Sequence, residues 1–150
     1  MPDESSRTVL LVGATGLVGG LCLRRLLADA TVGRVIAPTR RPLSENLRAL
    51  DSTGKLEAHL VDFAHLANHA ALFAVDQIIC ALGSTIKKAG SRERFREFDY
   101  GYPLQIARLG LQQGAQHFLL VSALGADARS RIFYNRVKGE LEEAMVMLPY

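Results

Sequence analysis

Three glycines spaced three residues apart constrain the fold of this chain more than any other feature. Gly13, Gly16 and Gly19 follow the run Thr8–Val12 and open a second apolar stretch, Leu17–Ala28. The short apolar run is typical of a strand covered on both faces. The longer stretch, apolar nearly all round, indicates a helix lying against a sheet. The sequence therefore predicts a strand, a tight turn and a helix in direct succession.

The rest of the chain repeats this alternation of strands and helices. Further strands are predicted at Arg34–Ala37, where Pro38 stops the strand, and at Leu56–Val61, Gln77–Cys80 and Gln116–Val121. Longer helices are predicted at Arg92–Gln113, with a break near Gly101-Tyr102-Pro103, and at Ile132–Met147. Strands that alternate with helices form a parallel sheet with helices on both faces. The predicted fold class is therefore α/β, a doubly wound parallel sheet of the Rossmann type.

The length predicts one domain over residues 1–150, with residues 1–7 as a flexible N-terminus. The sequence ends soon after the last predicted helix, where a doubly wound sheet would continue into a sixth strand. We therefore expect the C-terminal strands of the fold to be missing. An unpaired sheet edge would invite self-association into a homo-oligomer or binding of a partner.

Composition and charge argue against several classes of partner. The net charge is +3, from 18 Lys and Arg against 15 Asp and Glu, and the cations are scattered. A nucleic-acid-binding protein would cluster its cations on one face, so no nucleic acid is expected as a partner. The N-terminus is polar and no apolar run reaches membrane-spanning length, so no membrane association is expected. Cys22 and Cys80 lie in apolar surroundings, as reduced thiols do. These features predict a cytoplasmic protein.

The loop Gly13–Gly19 has the pattern of a phosphate-binding turn. The first glycine permits the turn, the second lets the backbone approach a pyrophosphate, and the third lets the helix pack closely. Phosphates would then face free N–H groups at a helix N-terminus. A turn without a ligand is the alternative. The candidate cofactor-binding residues here are Gly13, Thr15, Gly16, Leu17, Val18 and Gly19.

The segment after the second strand indicates which dinucleotide would bind. NAD binders usually carry Asp or Glu there, whereas this chain has Arg40 and Arg41 and no acid. Guanidinium groups suit a 2′-phosphate, which a carboxylate would repel. NADP(H) is therefore favoured over NAD(H). The alternative is a pair of solvated loop arginines.

Two later segments would line the same cleft. Asp62 follows the third strand and could accept a hydrogen bond from adenine, or it could simply cap the next turn. The small residues of Cys80–Thr85, including Leu82 and Gly83, would let backbone pass along the ribose and nicotinamide.

Three residues near the C-terminus suggest proton-transfer chemistry. Tyr134 and Lys138 are four residues apart and would share one helix face, where the ammonium stabilises tyrosinate. Ser122 follows the fifth strand, at the sheet edge where ligands bind, and could hydrogen-bond a substrate carbonyl oxygen. Each element alone has an ordinary alternative, a surface pair or a cap. Together they predict a catalytic triad acting on an unidentified small molecule.

A metal site is not predicted. His59, His65 and His69 lie close together in sequence, and the last two could share a helix face. Neither a glutamate in a zincin arrangement nor a cysteine pair accompanies them.

These motifs together resemble the short-chain dehydrogenase/reductase superfamily. The chain is most similar to its atypical group, which contains the Tat-interacting oxidoreductase and sugar-nucleotide epimerase-like proteins. The motifs that carry the resemblance are GATGLVGG from Gly13, Thr39-Arg40-Arg41, VDF from Val61, CALGST from Cys80, SALGA from Ser122 and YNRVKGE from Tyr134.

The resemblance implies an NADP(H)-dependent oxidoreductase that acts on a carbonyl or an alcohol. It implies one role for each candidate residue: Gly13, Gly16, Gly19 and Thr15 on the phosphates, Arg40 on the 2′-phosphate, Asp62 and Leu82-Gly83 beside adenine and ribose, Ser122 on the substrate carbonyl, Tyr134 as general acid/base, and Lys138 on the ribose. Members continue for tens of residues beyond the Tyr-Lys helix, and several act as regulators or assembly factors. A non-catalytic NADP(H)-binding protein is therefore the alternative.

Overall fold

A computed structural model describes residues 6–150 of the chain. Most of the segment predicted to be flexible, residues 1–5, lies outside the described residues. Arg7, however, already belongs to the first strand, and its N–H donates to the Thr31 carbonyl oxygen at 2.9 Å. Its guanidinium also bonds Gln77 at 3.1 Å. The prediction that flexibility reaches Arg7 is wrong, because its backbone is held by Thr31, just before β2, and its side chain by Gln77 in β4.

All five strands run parallel in one sheet, in the order β3-β2-β1-β4-β5. The chain moves outward from β1 on one side and then returns to β4 on the other. The crevice above the carboxyl ends of β1 and β4 is therefore the switch point where such sheets bind ligands. The strands are β1 (Arg7–Val12), β2 (Val32–Thr39), β3 (Leu56–Leu60), β4 (Gln77–Cys80) and β5 (His117–Leu120).

Helical segments connect the strands. A π-helical segment, Glu97–Gly101, links the α-helices Arg92–Arg96 and Tyr102–Gln112. A 3₁₀ segment, Phe63–Phe73, follows β3. Within residues 6–150, no helix combines the length and hydrophobicity needed to cross a lipid bilayer. The α-helices are α1 (Leu17–Ala28), α2 (Glu45–Arg48), α3 (Ile86–Ala89), α4 (Arg92–Arg96), α5 (Tyr102–Gln112) and α6 (Phe133–Val146).

The two faces of the sheet carry separate hydrophobic cores. Leu10 and Val12 point into one core, which α5 and the 3₁₀ segment cover. Val9 and Leu11 point into the other, which α1 covers. Successive side chains of a strand alternate between faces, so an unbroken apolar run supplies both cores at once. The predicted doubly wound α/β fold is confirmed.

The predicted break near Gly101-Tyr102-Pro103 is not a break. The chain stays helical from Arg92 to Gln112 and passes through the wider π turn at Glu97–Gly101. Proline has no N–H for the regular ladder and its ring crowds the preceding turn. The wider turn relieves that conflict without ending the helix, and such turns are frequent at functional sites.

Pro38 does not stop β2 as predicted, because the strand continues to Thr39. Pairing of β2 with β1 ends at Ile36, whereas pairing with β3 runs on through Thr39. A residue without an N–H is tolerated where pairing on one side has already ended.

The histidines after β3 do not share a helix face. The backbone at His65 and His69 is non-helical, so the 3₁₀ segment consists of short irregular turns. Among residues 6–150, no group of three or more His, Cys, Asp or Glu side chains is placed to hold a metal ion.

The side chains of the central strand β1 are fully buried from Val9 to Val12, and Leu10→Ala tests their contribution to stability. Leu10 is fully buried, so we expect a loss of about 2–5 kcal/mol in the free energy of unfolding from lost burial and a residual cavity. Urea denaturation followed by circular dichroism measures the change. Leu60→Ala is the matched control, because Leu60 is 62% exposed on edge strand β3. A change within about 0.5 kcal/mol is expected there. Equal losses in the two variants would contradict the assignment of the core.

Candidate functional site

The turn after β1 has a conformation that only glycine adopts readily. Gly13 has φ +89°, in the left-handed region. A Cβ at this position would lie 2.5 Å from the Ala81 carbonyl oxygen, in the loop after β4. The N–H of Gly16 donates to the Gly13 carbonyl oxygen at 3.0 Å and closes the turn. The glycine loop is therefore packed directly against the loop that follows β4.

The N-terminus of α1, directly after the part of the glycine loop that lines the cleft, has no side-chain cap. Gly16 is its N-cap residue and offers no side-chain acceptor to the first turn. The N–H groups of a helix's first turn have no intrahelical acceptor and carry partial positive charge. Gly19 packs so closely that a Cβ there would overlap the Gly13 carbonyl oxygen. This arrangement forms a cradle of backbone donors for an anion.

A cavity of about 490 Å³ joins the glycine loop to the end of β2. Arg40 and Arg41 line it together with Gly13, Ala14 and Thr15 of the glycine loop. Of the described residues that line it, none is acidic. The lining residues are Gly13, Ala14, Thr15, Pro38, Thr39, Arg40, Arg41, Pro42, Ser44, Leu47, Phe63 and Leu82.

Arg40 also borders a second cavity of about 580 Å³, on the side of α4 and the π turn. Its guanidinium Cζ lies 4.5 Å from the ring centroid of Phe98, and Arg94 approaches the same ring at 5.7 Å. Such stacking orients a guanidinium while leaving its N–H edges free to donate. Arg40 is therefore held at the boundary between the two cavities.

Asp62 caps the turn that follows it. Its carboxylate accepts the Ala64 N–H at 3.0 Å and contacts His65 Nδ1 at 2.7 Å. The hydrogen bond from His65 holds the pKa of Asp62 below its usual range. Asp62 lines the second cavity and not the first. Of the two predicted roles, the cap is present, and contact with adenine stays a prediction.

Ser122 lies two residues beyond the end of β5, which stops at Leu120 and not at Val121 as predicted. The Val121 N–H still donates to the Cys80 carbonyl oxygen at 2.9 Å, so Ser122 stays close to the end of β4. Its hydroxyl oxygen is buried and has no hydrogen-bond partner among the described residues. A buried polar atom without a partner is costly, and a ligand oxygen would satisfy it.

Tyr134 and Lys138 lie on α6, as predicted, but the lysine does not face open solvent. The Tyr134 ring packs against Phe95 at a centroid distance of 5.3 Å. Lys138 Nζ lies 5.7 Å from the Tyr134 ring centroid. The ammonium is buried and forms an ion pair with the Asp99 carboxylate, with Nζ 2.5 Å from Oδ1.

Asp99 is the residue that the sequence reasoning missed. It lies in the π turn and is fully buried. Burial raises the pKa of Asp99, and the hydrogen bond and charge of Lys138 oppose that change. The sequence did contain an indication that Asp99 is buried. Phe95, Phe98 and Tyr102 form an aromatic stripe at helical spacing, and Asp99 is a carboxylate within that stripe.

Cys80 lies at the end of β4, beneath this ion pair. Burial raises the pKa of its thiol to about 11. Cys80 is fully buried within the core that contains Leu10 and Val12, which agrees with its interpretation from sequence as a small apolar packing residue.

The structure brings most of the predicted site residues together at two places, while Asp62 lines the second cavity. Gly13, Thr15, Arg40, Arg41 and Leu82 line the first cavity, whereas Gly16, Leu17, Val18 and Gly19 do not. Tyr134, Lys138 and Gly83 meet at the buried ion pair. Ser122, Tyr134 and Lys138 do not line the first cavity.

The parallel sheet and its site define a class of protein: α/β domains that bind a dinucleotide at the switch point of the sheet. The uncapped N-terminus of α1, the close packing at Gly19 and the unpartnered Ser122 hydroxyl all fit such a ligand. Residues 9–131 match the NAD dependent epimerase/dehydratase family, and the chain belongs to that family. The resemblance inferred from sequence is thereby confirmed. The expectation of a nicotinamide dinucleotide agrees with the family, while the preference for NADP(H) stays a prediction.

Curated relatives match almost the whole chain. Protein FMP52, mitochondrial, of Lodderomyces elongisporus is 31% identical over 97% of this chain and 63% of its own length. Protein HTATIP2 of Rattus norvegicus is 32% identical over 97% of this chain and 59% of its own length. The chain therefore spans about three fifths of the length of these relatives.

Solved structures share the fold. The UDP-Glc/GlcNAc 4-epimerase of Campylobacter jejuni has a TM-score of 0.76 and 18% identity, covering 92% of this chain and 47% of its own. WbmG of Bordetella bronchiseptica, solved in complex with NAD, has a TM-score of 0.78 and 11% identity, covering 99% of this chain and 52% of its own.

The cytoplasmic prediction is contradicted by the relatives. The FMP52 proteins of Lodderomyces elongisporus, Candida albicans and Emericella nidulans are all named mitochondrial. The prediction was wrong because a polar N-terminus and reduced cysteines do not separate the cytoplasm from other reducing compartments.

Proposed function

We propose that this chain binds NADP(H) and serves as an oxidoreductase that acts on a carbonyl or alcohol through Ser122, Tyr134 and Lys138. One observation carries the cofactor preference. Arg40, Arg41 and the start of the glycine loop line one cavity, whose described lining residues include no carboxylate. A 2′-phosphate in that cavity would meet cationic donors and no repelling charge. NAD(H) would leave those guanidinium groups without an anionic partner.

The reaction would divide between cofactor and protein as follows. NADPH, when bound, supplies a hydride to the carbonyl carbon of the substrate. The Tyr134 hydroxyl donates its proton to the carbonyl oxygen, and in the reverse direction accepts it from the alcohol. The Ser122 hydroxyl donates a hydrogen bond to the same oxygen as charge develops there. Lys138 stabilises the tyrosinate that remains.

Arg40→Ala tests the cofactor preference. We expect the NADP⁺ dissociation constant to rise about tenfold or more, because a charge-assisted hydrogen bond contributes about 1.5–3 kcal/mol. The NAD⁺ dissociation constant should change little. Isothermal titration calorimetry with both nucleotides measures the difference.

The matched control is Arg25→Ala, which removes the same charge from the last turn of α1, away from the glycine loop. Its affinity for NADP⁺ should equal that of the wild type. Equal affinity of the wild type for the two nucleotides, or NADP⁺ binding unchanged in Arg40→Ala, would refute the arginine assignment.

A second candidate is an NADP(H)-binding regulator or interaction protein that does not turn over substrate. The observation that favours it is that Ser122, Tyr134 and Lys138 do not line the first cavity, and that Lys138 Nζ is already paired with Asp99. It predicts NADP(H) binding without hydride transfer to any carbonyl offered.

A further inference from the structure

Asp99 connects two segments that are far apart in sequence. Its carboxylate contacts Lys138 Nζ on α6 at 2.5 Å. The same carboxylate accepts the Ser84 N–H, at 3.2 Å to Oδ1 and 3.0 Å to Oδ2. Ser84 belongs to the loop after β4, which packs against the glycine loop. One buried carboxylate therefore ties the helix of the predicted triad to a wall of the cleft.

The Gly83 backbone lies beside this ion pair. A Cβ at Gly83 would lie 3.5 Å from Asp99 Oδ1 and 3.5 Å from Lys138 Nζ. The neighbouring residue Leu82 lines the first cavity. A shift of the Asp99–Lys138 ion pair would therefore also shift the Leu82-Gly83 segment, which forms this wall of the first cavity.

The pair is poorly explained as a source of stability. Asp99 is fully buried and Lys138 is 4% exposed, and removing two charges from water usually costs as much as their attraction returns. Lys138 has three N–H donors, and among the described residues its polar partner is Asp99 alone. The other two N–H donors are therefore available to a ligand group that lies beside Gly83.

We propose that Asp99 is a positioning residue for the nicotinamide riboside half of the cofactor. It holds the Lys138 ammonium and the Gly83-Ser84 backbone in the places where they contact that half. The adenosine half, with its 2′-phosphate, is bound elsewhere, by the glycine loop and Arg40. This inference rests on the proposed function, because it presupposes that the chain binds NADP(H).

Asp99→Asn tests the inference with two ligands. NADP⁺ spans both halves of the site, whereas adenosine 2′,5′-bisphosphate occupies only the adenosine half. We expect the dissociation constant of NADP⁺ to rise about tenfold, the effect of one misplaced charge-assisted hydrogen bond. Binding of the bisphosphate should stay within about twofold of wild type, a difference too small to signal a lost hydrogen bond. Calorimetry on protein shown to be folded by circular dichroism measures both.

The matched control is Asp76→Asn. Asp76 precedes β4 at the opposite edge of the sheet, and its carboxylate accepts the Thr8 N–H at 2.7 Å. Asp76→Asn makes the same chemical change at another carboxylate that accepts a hydrogen bond from the backbone. Both ligands should bind to this variant with wild-type affinity.

The outcomes separate the inference from the function on which it rests. If the wild type binds neither ligand, the proposed function and the inference both fail. If wild type binds both, and Asp99→Asn weakens the two equally or weakens neither, a purely structural role holds and the inference alone fails. Should Asp99→Asn not fold, Asp99→Glu keeps the charge pair and displaces the ammonium by one methylene. The same selective loss for NADP⁺ is expected there, and wild-type affinity would overturn the inference.

Discussion

Gly19→Ala should weaken NADP⁺ binding about 100-fold or more and lower the stability of the chain. The added methyl group would overlap the Gly13 carbonyl oxygen, so the turn between β1 and α1 must move. Moving it displaces the backbone donors from the pyrophosphate, and two charge-assisted hydrogen bonds of about 1.5 kcal/mol each account for that loss. Overpacking costs a further 1–3 kcal/mol or so in the free energy of unfolding.

Calorimetry and urea denaturation measure these two effects, and the adjacent glycine supplies the control. A Cβ at Gly20 would lie 3.6 Å from the Ala14 carbonyl oxygen, an ordinary contact. Gly20→Ala should therefore bind NADP⁺ as the wild type does and gain about 0.5–1 kcal/mol of stability, since alanine is the better helix residue. If Gly19→Ala binds with wild-type affinity, the phosphates do not occupy this turn.

Tyr134→Phe should lower kcat/KM for carbonyl reduction about 10²–10⁴-fold while leaving NADP(H) affinity unchanged. The substitution removes only the hydroxyl that would donate the proton, and general acid catalysis is worth about this much. The ring remains to pack against Phe95. Oxidation of NADPH over a panel of aldehydes and ketones, followed by absorbance, measures turnover.

Tyr100→Phe is the control for this experiment. The Tyr100 ring stacks with Arg96, at 4.4 Å from Cζ to the ring centroid, and the phenylalanine ring can keep that contact. Its turnover should match the wild type. Undiminished turnover in Tyr134→Phe would remove Tyr134 as the acid. A wild type that binds NADPH and reduces no carbonyl of the panel would instead favour the non-catalytic binding protein.

The elements with strong local signals were predicted well. The apolar runs at β1 and β4 and the glycine spacing before α1 place those elements within a residue or two of their observed bounds. Errors occurred at prolines, where the surrounding backbone decides whether the element continues. Pro38 remains in β2 because β3 continues to pair there, and Pro103 follows a π turn instead of ending a helix.

The candidate site shows the same division between local and tertiary information. Ser122, Tyr134 and the glycine loop were identified from residue type and spacing alone, and their catalytic and binding roles stay predictions. Asp99 was missed because its importance comes from a partner on another helix. A carboxylate within an apolar helical stripe was the available signal, but it does not name its partner.

By itself, the sequence determined the turn that follows β1, the alternation of strands and helices, and the absence of an acid after β2. Those features depend on backbone freedom, side-chain volume and charge at neighbouring positions, which a single chain segment contains. Only the tertiary structure decided that Lys138 is buried against Asp99 and that Arg40 stacks on Phe98. Burial and ion pairing depend on which distant elements pack together, and no short segment specifies that.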